Sequence, residues 1–298
     1  MNKRWSILLS GALMAGLLAG CGSDKDAAAG TTDPAPSATG TKEASTPPAD
    51  GGSYKDGTYF AEGAMDEKSG WQPFVVLSVE SGKITKADWN YVSAKGGPDK
   101  KTLDKAGKYG MKAGGGSSEW YEQAEKAEQY LIEKQDPAAI TVTDEGKTDA
   151  VSGVSIHVKD FTSLSEQALS AGPAVHGTYK DGSYHAEGDA FDKESGWKPT
   201  VDITVANGKI IYAYFSGVNT KGEDKQTVSK EGKYGMKAGG AQAEWHEEAI
   251  KAQDYLIEKQ DPAAITLKDD GTTDAISGVS IHIKDYVTLA QKALDEAK

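Results

Sequence analysis

The chain has a single cysteine, Cys21, in 298 residues, and it falls just after an apolar run rather than within a foldable segment. Without a second thiol, intrachain disulfides, cysteine metal sites and CxxCH haem attachment are excluded. Each half of the chain offers one shared histidine, His157 or His282, with no clustered histidine or carboxylate spacing beside it, so no metal centre is expected. The phosphate-binding patterns GxGxxG and GxxxxGK are missing, as is the GxSxG elbow of serine hydrolases. Positive charge is in deficit. Lys+Arg number 33 against 45 Asp+Glu, a net charge of −12, or −14 without Lys3 and Arg4. Such a surface repels nucleic acid and anionic lipid headgroups, which excludes nucleic acid as a partner.

What is present begins with an address. Lys3 and Arg4 precede the apolar run 5–19, which is too short for a comfortable membrane span and has the form of a signal peptide over residues 1–20. The run closes in Leu18-Ala19-Gly20-Cys21, which resembles the lipobox of bacterial lipoproteins. The expectation is a diacylglyceryl group on the Cys21 sulfur, and a lipid-anchored protein on the extracytoplasmic face of the cell membrane. Two acyl chains give stable anchoring where one is marginal. Residues 21–52 are then the lipidated cysteine and a linker of Gly, Ser, Thr, Pro, Ala and charges without an aromatic or large aliphatic side chain. Such a composition cannot build a core and is expected to be disordered, with a root-mean-square span of roughly 30 Å.

The rest is a tandem repeat. YKDGTYFAEG at Tyr54 returns as YKDGSYHAEG at Tyr179, GKYGMKAGG at Gly107 returns at Gly232, and YLIEKQDPAAIT at Tyr130 returns at Tyr255. The offset is 125 residues, slipping to 126 only between Gly70 and Ser93. A period this long matches a whole domain, so two copies of one fold are expected over residues 53–172 and 174–298, joined by Ser170-Ala171-Gly172-Pro173-Ala174.

Within a copy, residues 73–92 are two β-rich runs around a Ser-Gly turn, and the counterpart carries Asn207-Gly208, a strong hairpin signal. Helical spacing of Trp120, Ala124, Ala127, Tyr130 and Leu131 predicts a helix over 118–135, capped by Ser117 or Ser118 and stopped by Asp136-Pro137. AAITVTD at 138–144 reads as a returning strand, and residues 156–169 as a strand-like start followed by an amphipathic helix. The expected class is α+β, with an antiparallel sheet and packed helices in each copy.

Between these elements lies an octapeptide, TDAVSGVS at 148–155, repeated as TDAISGVS at 273–280. Gly153 and Gly278 permit positive φ, and Ser152, Ser155, Ser277 and Ser280 offer hydroxyls as donors, acceptors or attachment points. A helix-capping loop is the plain alternative. His157 and His282 fall two residues beyond the last serines, on the same face of an extended chain. Trp71, Trp197, Trp120 and Trp245 are available for stacking, although aromatics fill cores more often than they hold cofactors. The glycine-rich KYGMKAGG at 108–115 and 233–240 is either a plain loop or a set of backbone amides for a phosphate.

The stretch DAVSGVSIHVKDFTSLSEQAL resembles the flavinylation motif of the FMN-binding domain family, in which Asp-x-x-Ser/Thr-Gly-Ala-Ser/Thr precedes a helix and the last hydroxyl is esterified by the phosphate of FMN. In layout the chain is similar to two-domain lipoproteins of flavin-based extracellular electron transfer. On that resemblance Asp149 and Asp274 are the motif acids, and Ser152, Gly153 and Val154, with Ser277, Gly278 and Val279, form the loop. Ser155 and Ser280 become the acceptors. The chain departs from the family pattern with serine where threonine is commoner and with Val154 and Val279 where alanine is usual. The added methyls stand where they would crowd the ribityl chain or an approaching transferase.

The resemblance implies two covalent FMN groups per chain and electron transfer from a membrane quinone-linked donor to extracellular acceptors. Its partners would be a flavin transferase, that donor and those acceptors. Without self-contained chemistry of its own the chain would be a carrier, with no catalytic residue. The alternative is a non-redox lipoprotein that uses the same fold as a ligand-binding or scaffold module.

Overall fold

Ser81 and Gly82 sit at φ 53° and 77°, and Asn207 and Gly208 at 52° and 69°, the left-handed pair that a two-residue type I′ hairpin turn requires. They join β2 (Trp71–Glu80) to β3 (Lys83–Ser93) and β5 (Trp197–Ala206) to β6 (Lys209–Asn219). A shorter strand, β1 (Gly57–Glu62) or β4 (Gly182–Glu187), pairs antiparallel with the first arm of each hairpin. Each copy therefore holds a three-stranded sheet, ordered β1-β2-β3 or β4-β5-β6. The structure, a computed structural model, describes residues 54–298. The expected signal peptide 1–20, the expected lipidated Cys21 and the expected linker to residue 52 lie outside the described residues.

Around each sheet run three helices: α1 (Lys100–Lys105), α2 (Trp120–Lys134) and α3 (Lys159–Ala171) in the first copy, and α4 (Lys225–Lys230), α5 (Trp245–Lys259) and α6 (Lys284–Asp295) in the second. Two antiparallel three-stranded sheets with six helices make an α+β protein among the described residues. Strand alternation aims Val75, Leu77 and Val79 at α2 and α3, where Trp89 stacks on Phe161 at 5.2 Å. The second copy replaces that pair with Phe215 on Tyr286 at 4.8 Å, moving bulk from strand to helix.

β3 is an edge strand, and α2 covers its unpaired backbone with side chains. Glu128 Oε1 accepts from the Trp89 N–H at 2.7 Å; Gln135 Oε1 accepts from the Ile84 N–H at 2.7 Å while its Nε2 donates to the Ile84 carbonyl at 2.9 Å. Gln253 and Gln260 do the same for Phe215 and Ile210. Each buried amide left without such a partner would cost about 1–3 kcal/mol. Gln135 and Gln260 reach the strand because each ends its helix in the left-handed conformation at φ 61°, just before the expected Asp-Pro stop.

Two expectations are corrected. Residues 138–144 form no strand: Pro137–Ala139 is a single 3-10 turn, and the Thr143 N–H then donates to the Lys147 carbonyl, closing a turn. The β3 edge that a returning strand would join is already covered by α2. Nor do Ser117 and Ser118 cap α2. The Glu119 N–H is taken by Glu122, and the Tyr121 N–H donates to Asp104 Oδ2 of α1 at 2.7 Å. Ala243 stands at the Ser118 position in the second copy, so no hydroxyl is required there. β1, α1 and their counterparts β4 and α4 have no place in the elements read from the sequence. The strand-like start at 156 forms no strand, bending at Ile156 instead, and its helical continuation is α3.

The copies also touch. The Asp99 N–H donates to Ser183 Oγ and that hydroxyl donates back to Asp99 Oδ2, both at 2.9 Å. The loop 94–98, one residue longer than its counterpart 220–223, brings Gly96 so close that a Cβ there would lie 2.5 Å from the Tyr214 ring. Phe74 and Val92, on the sheet face away from the helices, share a small apolar cluster with Ala206, flanked by Val76 and Tyr212. The joint is pinned as well, with the Ala174 N–H donating to the Thr58 carbonyl at 2.7 Å.

The copies differ beneath β3 and β6. Lys101 Nζ lies 2.6 Å from both Asp88 and the buried Glu128, whereas Gln226 Nε2 donates to Gln253 Oε1 at 2.6 Å. A buried ion pair gains little over a neutral pair of the same shape, but losing one partner strands a charge. Lys101→Gln combined with Glu128→Gln is therefore expected to stay within about 1 kcal/mol of the parent, and Lys101→Gln alone to cost about 3 kcal/mol in urea denaturation. Because each copy has its own core, fragments 53–172 and 174–298 are each expected to unfold cooperatively. Mixed, they should associate and raise both midpoints, which calorimetry of the separate and combined fragments measures.

Candidate functional site

The octapeptide is a loop anchored by its first residue and opened by its glycine. Thr148 and Thr273 are buried, with the Ala150 and Ala275 N–H groups donating to their hydroxyls. Gly153 and Gly278 take φ +75° and +71°, a left-handed bend that costs a residue with a Cβ about 1–2 kcal/mol. Beyond the bend, burial alternates: Val154, Ile156 and Val158 point inward, Ser155 and His157 outward, and the second copy repeats the pattern. The valines belong to the hydrophobic cores, so their extra methyls do not crowd the exposed face of the loop. Ser152, Ser277, Asp149 and Asp274 are exposed, and Asp274 pairs with Lys268 at 3.0 Å. The two acids thus lie on the loop's solvent side rather than on Ser155 and Ser280.

What holds those serines comes from the neighbouring helix. Gln123 Oε1 accepts from the Ser155 N–H at 2.7 Å, from Ser155 Oγ at 3.1 Å and from the Ile156 N–H at 3.3 Å. Its counterpart in α5 is a carboxylate: Glu248 takes the Ser280 N–H, the Ile281 N–H and Ser280 Oγ, the last at 3.0 Å. One turn on, Lys126 and Lys251 arch over the glycines. A Cβ on Gly153 would lie 2.8 Å from Lys126 Nζ, and Lys251 Nζ donates to the Gly278 carbonyl at 3.1 Å. Each copy therefore presents an exposed serine hydroxyl, oriented by a buried acceptor, with an ammonium beside the loop. Sequence reasoning missed Gln123, Glu248, Lys126 and Lys251; their recurrence at one offset on the buried and loop-facing sides of the same helix was the available signal.

The glycine-rich stretches present fewer free amides than a phosphate site needs. In the second copy the Met236 and Lys237 N–H groups already donate to Glu244, and in the first the Lys112 N–H donates to Glu119. Instead these stretches supply side chains. Tyr109 meets Trp71 edge-on at 6.1 Å, and Lys100 Nζ sits 4.4–5.4 Å from the rings of Trp71, Tyr91, Tyr109 and Trp120. In the second copy Lys225 lies 4.5 Å from Trp245, 5.1 Å from Tyr234 and 5.8 Å from Trp197. There the cluster lines a cavity of 460 Å³ that reaches Ile281 and His282, next to Ser280 in sequence. No hydrogen bond joins Ser155 to His157 or Ser280 to His282 among the described residues; the hydroxyls go to Gln123 and Glu248. Also among the described residues, no helix is long and apolar enough to cross a membrane and no group of His, Cys, Asp and Glu is arranged to hold a metal ion.

Burial pushes the Lys225 ammonium down to about 8, while Asp285 and Asp192 oppose the shift. Asp285→Asn removes the larger opposing charge, so the midpoint of Lys225 should fall further below 8. Heteronuclear NMR of the lysine ammonium groups reads this directly, and an unchanged or raised midpoint would show that Asp285 does not act on it.

No protein-family model matches the chain, and no curated protein matches it. Two solved structures are similar to parts of it. A solution NMR structure of a protein from Clostridium thermocellum is 55% identical, covering 39% of this chain and 91% of that one, with a TM-score of 0.32. A crystal structure of a protein from Clostridium perfringens is 26% identical, covering 40% of this chain and 88% of that one, also with a TM-score of 0.32.

Proposed function

We propose that the chain is a membrane-anchored, extracytoplasmic electron-transfer flavoprotein of the FMN-binding domain type. It would carry one covalent FMN on Ser155 and one on Ser280, and relay electrons from a membrane quinone-linked donor to extracellular acceptors. The observation that carries the reading is the repeated constellation of a left-handed glycine, an exposed serine hydroxyl held by α2 or α5, and a lysine ammonium beside the glycine. These residues fit a phosphoester. The hydroxyl faces solvent, where a flavin transferase can reach it, and Lys126 or Lys251 supplies positive charge for the phosphate. Attachment would exchange a P–O–P bond of a flavin adenine dinucleotide donor for the Oγ–P bond, with AMP as the leaving group and the serine proton passing to a base of the transferase. Bound there, FMN supplies the redox chemistry, and the chain supplies attachment and electrostatics. Attachment has a use outside the cell, where a noncovalent flavin is lost by dilution.

One observation favours the second reading, a non-redox lipoprotein serving as a ligand-binding or scaffold module. The buried Glu248 carboxylate lies against Ser280, where it would repel a phosphate that the neutral Gln123 tolerates at Ser155. Intact-mass measurement after co-production with an active flavin transferase separates the two. Two FMN masses are expected, with Ser155→Ala and Ser280→Ala each removing one and Glu248→Gln raising occupancy at Ser280. A chain with no added mass would support the module.

A further inference from the structure

The copies share their aromatic clusters but differ at one strand position. In the first, Tyr91 of β3 projects into the cluster: its ring lies 5.5 Å from Trp120 and 4.4 Å from Lys100 Nζ, and its hydroxyl donates to Asp160 Oδ2 at 3.0 Å. In the second, register places Gly217 opposite Pro199 as Tyr91 stands opposite Pro73. The counterparts of Trp120, Lys100 and Asp160 are Trp245, Lys225 and Asp285, and all three line the 460 Å³ cavity. The tyrosine ring occupies in one copy the place that the glycine leaves open in the other.

We propose that the second copy alone is a noncovalent binding site for an uncharged, planar heteroaromatic ring, and that Tyr91 plugs the equivalent site in the first. The volume falls within the range of about 300–1,000 Å³ common for small-molecule sites. Trp197, Tyr234 and Trp245 provide ring walls suited to stacking. Lys225, Asp192 and Asp285 place donors and acceptors around them. One cation against two carboxylates disfavours an anionic ligand in the cavity and suits a neutral ring with carbonyl and N–H edges. The site does not depend on a group at Ser280, and it makes the two copies unequal: one can enclose a ring and the other has filled that space with its own.

The test is a fluorescence titration of the full chain, produced without a flavin transferase, with riboflavin, whose ring is planar and uncharged. Saturable quenching with one site per chain is expected. Gly217→Tyr should weaken it at least tenfold. A Cβ at residue 217 would lie 3.0 Å from the Lys198 carbonyl oxygen, so β5 must shift slightly; Trp197→Ala, at a half-buried position, is a second loss variant expected to weaken binding similarly. Tyr91→Gly should add a second site. No saturable binding, two sites in the parent chain, or binding indifferent to both loss variants would overturn the proposal. Covalent loading is read separately by mass, so failure at Ser280 and failure at the cavity are distinguishable.

Discussion

Each copy depends on a helix that satisfies main-chain groups outside itself. Along α2, Gln123, Glu128 and Gln135 hold in turn the serine loop, the Trp89 amide and the Ile84 peptide. Along α5, Glu248, Gln253 and Gln260 repeat the row. An edge strand normally offers its free N–H and C=O groups to any passing strand. Here side chains satisfy them and at the same time fix where the octapeptide bends. The strand edge, the helix orientation and the serine hydroxyl thus share one set of hydrogen bonds, and losing a member would disturb all three.

On that common skeleton the copies diverge only where the skeleton allows. Lys101–Glu128 becomes Gln226–Gln253, Trp89–Phe161 becomes Phe215–Tyr286, Gln123 becomes Glu248, and Tyr91 becomes Gly217. The first two exchanges conserve shape and leave the fold indifferent. The last two change charge at a serine and space at an aromatic cluster, which are functional quantities. Duplication has kept the frame and separated the sites.

Local chemistry made part of this legible. Ser81-Gly82 and Asn207-Gly208 announced their turns because few other pairs accept two positive φ values, and the Asp-Pro after Gln135 stopped a helix that periodicity had already drawn. Gly153 and Gly278 adopt the positive φ their place in the motif suggested. Interactions between distant segments were not legible. The strand-like composition of residues 138–144 finds no partner because side chains 39 and 51 residues beyond their β3 partners in sequence already cover that edge. The start of α2 is closed by the Glu119–Glu122 capping box, and the Tyr121 N–H is taken by Asp104 of α1 rather than by an adjacent serine. The cavity was hidden for a different reason: it is made by a missing side chain, Gly217, and a strand glycine carries no sign of what its absence opens.

The contact between the copies is also asymmetric. Gly96 and Asp99 of the first seat on Tyr214 and Ser183 of the second, so a head surface meets a tail surface rather than its like. Contacts of that kind can in principle be extended indefinitely. The equivalent loop of the second copy is one residue shorter and folds onto itself, with the Asn219 N–H donating to the Glu223 carbonyl and its side chain to the Glu223 carboxylate. The shorter loop thus spends on itself the polar groups that the longer one offers to a neighbouring surface.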